Sequence, residues 1–307
     1  MKTIAVTGGA GFIGSHVVDL LVGRGHVVHV IDDLSTGDKA NVDKRAKLHV
    51  LDIRSKKLAP LLKRIGPSSV VHLAAQIDVR RSIKEPAADA DINICGSLNL
   101  LAGALAAGNK HFVFASSAAV YGPPVTLPMP EDSPLSPSSP YGIAKLAIEH
   151  YLRIFSQIYG TESAILRFAN VYGPRQAVKG EAGAVAIFLK NFLAGRPSTI
   201  NGDGEQTRDF IYVGDVARMV VAAVDKKLAG VFNVSTGVET SVNRIHQLLG
   251  RMAASATPSE HGPSVPNEDR RCSLDPGKAA KAVGWRAETP IEDGLRLTHE
   301  AFRLAAR

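Results

Sequence analysis

The chain has 307 residues, 45% of them apolar and 21% charged, with a formal net charge of +7; that length suits one large α/β unit or a large domain with a smaller companion. No apolar run is long enough to span a bilayer, and Cys95 and Cys272 are the only cysteines, with no Cys/His cluster at metal-ligand spacing; a membrane protein, a disulfide scaffold and a structural metal site are thereby excluded. The basic residues fall in short scattered groups, such as Arg54/Lys56/Lys57 and Arg270/Arg271, without a recognition helix or RNA-binding motif, so nucleic acid is not an expected partner.

The opening "MKTIAVTGG" enters a strand pattern directly, without the charged lead and apolar core of a secretory signal, and the expected location is the cytoplasm. From there "KTIAVTG", "VVHVID", "KLHVLD", "SVVHLAA", "HFVFASS" and "SAILRFANV" read as short buried strands. Helical patterns lie between them at about 12–24, 86–108 and 141–160. Such alternation is the signature of right-handed βαβ units and a doubly wound parallel sheet. Beyond Asn170 it weakens: a helix near 182–195, the strand "RDFIYV", a helix to about Lys227, the strand "VFNVST", then mostly helices. The expected fold class is α/β, with a large domain over residues 1–170 and a smaller mixed domain over 171–307, of which about 211–236 returns to the main sheet.

The turn "TGGAGFIGSH" follows the first strand and opens the first helix, with Gly8, Gly11 and Gly14 three residues apart. Glycines there permit a tight turn and remove the Cβ atoms that would hold a pyrophosphate away from the helix N-terminus. The second strand ends in "VIDDLSTG", which puts Asp32 where a carboxylate accepts from an adenosine ribose; a 2′-phosphate would face that charge, so NAD is expected rather than NADP. The bland alternative is that Asp32 and Asp33 merely cap a turn.

Six prolines recur between Pro123 and Pro137, and the helix that follows begins "PYGIAK". Tyr141 and Lys145 stand four residues apart on one helical face with Ile148 and Leu152. Of six tyrosines only Tyr141 has a lysine at that spacing. An ammonium beside a phenol favours the phenolate and draws tyrosine toward the range of a general base; the alternative is a solvated lysine at a helix start. A hydroxyl from "FVFASSAAVYG" completes the set, with Ser117 the choice and Ser116 second. The proline-rich stretch then reads as a stiff excursion that delivers Tyr141, with Pro140 setting the entry into the helix, and not as a linker.

Together "TGGAGFIGSH", "DDLSTG", "HLAAQ", "SSAAVYG", "YGIAK", "NVYGPRQ" and "GDGEQTRDFIYVGDVA" resemble the extended short-chain dehydrogenase/reductases, and most closely the UDP-glucose 4-epimerases, from Thr7 to about Trp285. The resemblance implies a Rossmann-type domain with tightly bound NAD, a smaller C-terminal domain holding a UDP-sugar, and a homodimer through two helices per subunit, here near 92–108 and 143–160. It adds to the cofactor site Phe12 and Ile13, then Asp33, Leu34, Ser35, Thr36 and Gly37, then Asp52 and Ile53. Leu73, Ala74, Ala75, Gln76 and Asn93 match further positions around the cofactor. It implies a UDP-sugar site with Ser117, Tyr141, Asn170, Val185, Thr199, Asn201, Arg208, Arg270 and Cys272, while His72 is expected to be structural. Related 4,6-dehydratases carry an Asp-Glu pair, and UDP-glucuronate decarboxylases a glutamate, where this chain has Ser117-Ala118.

Two positions bear on the substrate. Val265 stands where the family commonly carries a diphosphate-binding arginine, and Cys272 falls near the position that borders the sugar's 2-substituent, where its small size leaves room for an acetamido group. Arg270 and Arg271 are the candidates to take over from the missing arginine, though neither aligns with that position. The expected activity is epimerisation at C4 of a UDP-hexose. The alternatives are a 4-epimerase of UDP-glucuronate or another NDP-sugar, and a non-catalytic NAD-sensing protein, against which the joint presence of Ser117, Tyr141 and Lys145 counts.

Overall fold

The computed structural model describes residues 1–176, 183–254, 257–264 and 269–305. The chain divides into two compact units, the first made of Met1–Gly122, Pro134–Phe168 and Ala217–Phe232, the second of Pro123–Ser133, Ala169–Val216 and Asn233–Arg307.

The first unit runs β1 (Thr3–Thr7), α1 (Phe12–Gly23), β2 (Val27–Asp32), β3 (Lys47–Val50), α2 (Leu58–Ile65) and β4 (Ser69–His72). Next come α3 (Val79–Lys84), α4 (Pro86–Ala90), a π-helical turn at Asp91–Gly96 and α5 (Ser97–Ala106), then β5 (His111–Ser117), α6 (Pro140–Tyr159) and β6 (Glu162–Phe168). Further along the chain are β7 (Asn170–Tyr172), α7 (Ala184–Leu193), β8 (Ser198–Asn201), β9 (Thr207–Tyr212), α8 (Val213–Asp225) and β10 (Gly230–Val234). The main sheet has seven strands in the order β10-β6-β5-β4-β1-β2-β3, and every pairing from β3 through β6 is parallel. This is the parallel α/β sheet that the alternation of patterns foretold, of the Rossmann type that the resemblance implied. Beneath it Leu58, Leu62, Leu100, Leu101, Phe112, Ile148 and Leu152 form one apolar core.

Local chemistry sets the boundaries that matter. Ser139 accepts from the Gly142 N–H at 3.2 Å, Pro140 occupies the first helical turn, and Gly160 closes α6 in the left-handed conformation at φ 63°. Tyr141 is thereby fixed on the first turn.

Two expectations need correction. β3 was expected to be buried, but it is the sheet's edge, where Val50 is 62% exposed; an edge strand has one neighbour and shares in the core on one side only. The helix expected over 86–108 is interrupted by the π turn, which carries Asn93; such turns insert one extra residue and re-aim the side chains around it.

The second unit adds β11 (Glu239–Ser241), α9 (Val242–Met252), β12 (Ser259–Gly262), α10 (Gly277–Val283) and α11 (Ile291–Ala305). Its sheets are β11-β9-β7 and β12-β8; neither β11 nor β12 was expected. The proline-rich excursion belongs to this unit over 123–133, where Met129 donates to Ser273 O and accepts from the Asp275 N–H, each at 2.8 Å. Tyr172, Phe188, Leu189, Phe210, Ile245, Leu249 and Leu295 form the core. Among the described residues no helix is long and apolar enough to cross a membrane, and no group of three or more His, Cys, Asp or Glu could hold a metal ion.

Candidate active site

The glycine turn is a cradle with no room for side chains. A Cβ on Gly14 would lie 2.0 Å from the Gly8 carbonyl oxygen, and one on Gly8, whose φ is +70°, would lie 2.6 Å from the Ala74 nitrogen. Backbone therefore crosses backbone where β1 passes into α1. The N-cap of α1 is Gly11, with no side chain capping the first turn, so Phe12, Ile13 and Gly14 begin a helix whose N–H groups and dipole favour an anion. Asp32, 7% exposed at the end of β2, accepts from the Ala10 N–H through Oδ2 and from the Leu34 N–H through Oδ1, each at 2.9 Å. Burial raises its carboxyl above the usual range, against those two bonds. Asp32 thus ties the glycine turn to the segment Leu34–Gly37 while each oxygen keeps a lone pair. Asp33 does cap a turn, accepting from the Ser35 N–H at 2.9 Å and its hydroxyl at 2.6 Å; Thr36 is exposed beside it. An uncapped helix start, an open glycine turn and a carboxylate at the end of the neighbouring strand fit a dinucleotide such as NAD.

At the next strand ends Asp52 is gripped by Arg54, which also reaches Asp91 at 2.7 Å, while Ile53 is buried and its carbonyl accepts from Asn99 at 2.6 Å. Leu73, Ala74 and Ala75 leave β4 half-buried, with the Leu73 N–H on Thr7 O at 3.1 Å. Gln76 and Asn93 clasp each other: the Gln76 N–H donates to Asn93 Oδ1 at 2.9 Å, and Asn93 Nδ2 donates to Gln76 O at 2.8 Å. Both amides also donate to Asp89 Oδ1, each at 2.9 Å. Gln76 and Asn93 were candidates from the sequence and Asp89 was not, although its place four residues before Asn93 puts both on one helical face.

Lys145 is 5% exposed. Its Nζ donates to Ala115 O at 2.9 Å and sits 5.0 Å from the Phe114 ring centroid and 5.7 Å from that of Tyr141. Burial lowers the ammonium to about 8, opposed by the charge of Asp89. Tyr141 is half-buried, and its N–H donates to Ser82 Oγ at 3.3 Å. Ser117 ends β5, half-buried, with Oγ accepting from the Ala119 N–H at 3.2 Å. Ser116 is committed elsewhere: its hydroxyl donates to Glu149 at 2.5 Å, and Glu149 is in turn held by the Arg167 guanidinium at 2.7 and 3.0 Å. His72 is a strand residue between two hydroxyls, Thr7 and Ser97, each at 2.8 Å. Ser97 donates onward to Asn93 O at 2.7 Å, so it accepts from Nε2, and Nδ1 accepts from Thr7.

The second unit carries the remaining candidates. Asn170 pairs in register with Phe210, two residues along β9 from Arg208, whose guanidinium donates to Thr207 O at 2.7 Å. Thr199 is exposed on β8 and Asn201 half-buried at its end. Val185 is 1% exposed in the core, so its position can offer a ligand only backbone. Arg270 forks onto Asp203 at 2.7 and 2.9 Å, and Arg271 onto Glu239 at 2.5 and 2.9 Å. Cys272 is half-buried, and burial pushes its thiol up to about 11. Val265 lies outside the described residues.

Residues 4–235 match the NAD dependent epimerase/dehydratase family. A UDP-glucose 4-epimerase of Mycolicibacterium smegmatis is 41% identical over 99% of both chains. The structure of a UDP-glucose 4-epimerase of Thermotoga maritima, solved with UDP-glucose, superposes with a TM-score of 0.94 at 43% identity, covering 99% of this chain and 100% of that one. One from Thermus thermophilus, solved with NAD, gives a TM-score of 0.94 at 40% identity over 98% and 99% of the two chains. With the glycine cradle, the buried Asp32 and full-length similarity in agreement, this chain belongs to the NAD-dependent epimerase/dehydratase family.

Proposed function

We propose that this protein interconverts UDP-glucose and UDP-galactose by epimerisation at C4, through a transient 4-keto sugar. The observation that carries the reading is the buried Lys145, anchored on Ala115 O beside Tyr141 and next to the strand end that presents Ser117. NAD, when bound, supplies reversible two-electron oxidation at the sugar carbon. The chain's own residues manage the proton and the geometry. Tyr141 Oη takes the proton of the 4-hydroxyl and later returns it, and the Lys145 ammonium stabilises the phenolate between those events. Ser117 Oγ bonds the 4-oxygen and holds it in reach. The two residues directly before Val120-Tyr121-Gly122 are Ala118 and Ala119, one position beyond the Ser117-Ala118 pair first named, and none of the three is acidic, so no carboxylate stands there to eliminate water as a dehydratase does.

In this reading the first unit holds NAD through Gly8 to Gly14, Asp32 to Gly37, Asp52, Ile53, Leu73 to Gln76 and Asn93. The second unit holds the UDP-sugar through Asn170, the backbone at Val185, Thr199, Asn201, Arg208, Arg270 and Cys272. A second copy of the chain covers α6, whose Ile143, Tyr151, Ile154, Ile158 and Tyr159 are 55, 42, 41, 64 and 49% exposed; Tyr151, Phe155 and Tyr159 form an edge-to-face ladder along that helix. Sedimentation of Ile158→Glu against the unsubstituted chain tests this, with a monomer expected for the variant alone.

Product analysis across UDP-galactose, UDP-glucuronate and the N-acetylated UDP-hexosamines, without added NAD, decides the activity. Conversion of UDP-galactose to UDP-glucose is expected. Turnover confined to UDP-glucuronate favours the uronate alternative, and no turnover with bound NAD favours a sensing protein.

A further inference from the structure

Among the described residues the buried acids are each accounted for, with one exception. Glu149 is paired with Arg167. Asp209, fully buried, accepts from the Thr236 N–H and hydroxyl, the Gly237 N–H and the Leu274 N–H. Asp215 accepts from the N–H and hydroxyl of Thr289. Asp89 is 2% exposed, yet only its Oδ1 is engaged, by the neutral amides of Gln76 and Asn93, and its Oδ2 is buried with no hydrogen-bond partner. A carboxylate in such a place is costly unless a cation compensates it. The charge it acts on is Lys145, on the helix α6 against which α4 packs.

We propose that Asp89 is a positioning residue for the reaction: held by Gln76 and Asn93, its carboxylate keeps the buried Lys145 ammonium charged beside Tyr141. The inference rests on the reading of Tyr141 and Lys145 as the proton-handling pair. Among the described residues, Asp89 is the charge that opposes the effect of burial on Lys145. From β4 comes His72, which burial and Lys145 itself hold down at about 3 and hence neutral. From β5 come the Phe114 ring and the Ala115 carbonyl. From the π turn comes the neutral Asn93 amide, and from α3 the Ser82 hydroxyl that meets the Tyr141 N–H. On α6 itself, Glu149 is occupied by Arg167 and Ser116. Burial draws Lys145 toward the uncharged amine, and Asp89 is the group that opposes it. Without that opposition the ammonium is lost at a lower pH, and Tyr141 loses the charge that stabilises its phenolate.

The test is Asp89→Asn, which keeps an oxygen for both amides and removes only the charge. Two readouts are taken on the NAD-loaded enzyme: the pH profile of kcat, and the pH titration of the Lys145 Nζ resonance in ¹⁵N-lysine-labelled protein, assigned by its loss in Lys145→Arg. Both the alkaline limb and the resonance midpoint should move down by about one pH unit, the lower end of the shifts that an opposite charge produces. Asp89→Glu should leave the midpoint near its original value, whatever its kcat. Should Asp89→Asn not fold, Asp89→Ser carries the same test. A kcat lowered equally at all pH values with an unmoved Nζ midpoint overturns the proposal and leaves Asp89 a packing residue. A midpoint that moves while the limb stays supports the Asp89–Lys145 coupling and overturns instead the role of Lys145 in the reaction.

Discussion

In the first unit polar side chains are buried against one another: Asn93, Gln76 and Asp89 share one knot, Thr7, His72 and Ser97 another, and Glu149, Arg167 and Ser116 a third. In the second unit the buried acids Asp209 and Asp215 are satisfied largely by backbone N–H groups, while two of the cations considered for the substrate, Arg270 and Arg271, sit on the surface in forks with Asp203 and Glu239. The two arrangements suit different work. A desolvated side-chain network holds each proton in one place, because breaking any link strands a partner without water. An exposed arginine in a carboxylate fork can exchange that partner for a phosphate at little cost, since solvent already screens the pair.

The contrast is tested hardest at Tyr141. Tyr141→Phe should reduce kcat by at least about a hundredfold, the scale of losing a general base, with bound NAD and the far-ultraviolet circular dichroism retained; near-normal turnover at neutral pH would show that another group takes the proton. Lys145→Ala should lose as much and also release NAD more readily. Next in size is the sugar pocket: Cys272→Tyr should lower turnover of UDP-N-acetylglucosamine at least about tenfold, the scale of one badly accommodated group, with UDP-galactose little changed. Equal loss on both would place Cys272 in packing alone.

The His72 knot makes a prediction about acid. Its folded-state value of about 3 lies below the ordinary 6.5, so between those limits the unfolded chain takes up a proton that the folded chain refuses. Stability from this group is complete above about 6.5 and is lost as pH falls toward 3, at up to about 1.4 kcal/mol per pH unit. His72→Asn should flatten the urea-unfolding slope across that window, and an unchanged slope would mean that other groups govern acid unfolding. The smallest effect belongs to Arg270→Ala, which should leave the unfolding midpoint within error and raise KM for UDP-galactose without altering kcat. A large drop in the midpoint would show that the fork with Asp203 is structural.

What the sequence disclosed follows the same division. Gly8, Gly11, Gly14, Tyr141 and Lys145 were legible because one turn or one helical face sets their spacing, and chain neighbours stay spatial neighbours. Asp89 was legible in principle from its spacing to Asn93, but its significance depends on Lys145, 56 positions later, and on a π turn that no apolar period reveals. β11 and β12 were missed because they span three and four residues, Glu239–Ser241 and Ser259–Gly262, with no buried residue in either. No alternation of apolar and polar residues could announce them. The preference for Ser117 over Ser116 acquires a physical reason only where β5 meets α6, since it is Glu149 that claims the Ser116 hydroxyl.

The seven-stranded sheet is completed by β10, which neighbours β6 although 61 residues separate the end of one from the start of the other. During synthesis β6, buried from Ala164 to Phe168 in the finished protein, therefore leaves the ribosome as a bare apolar edge. It stays so until Gly230–Val234 has emerged, about three to thirteen seconds later at ordinary elongation rates. An unprotected strand edge is a template for pairing with another chain. Truncations ending before residue 230 should accordingly aggregate rather than yield a shortened cofactor-binding unit, and slow codons between 169 and 229 should lower the yield of folded protein without changing a single residue.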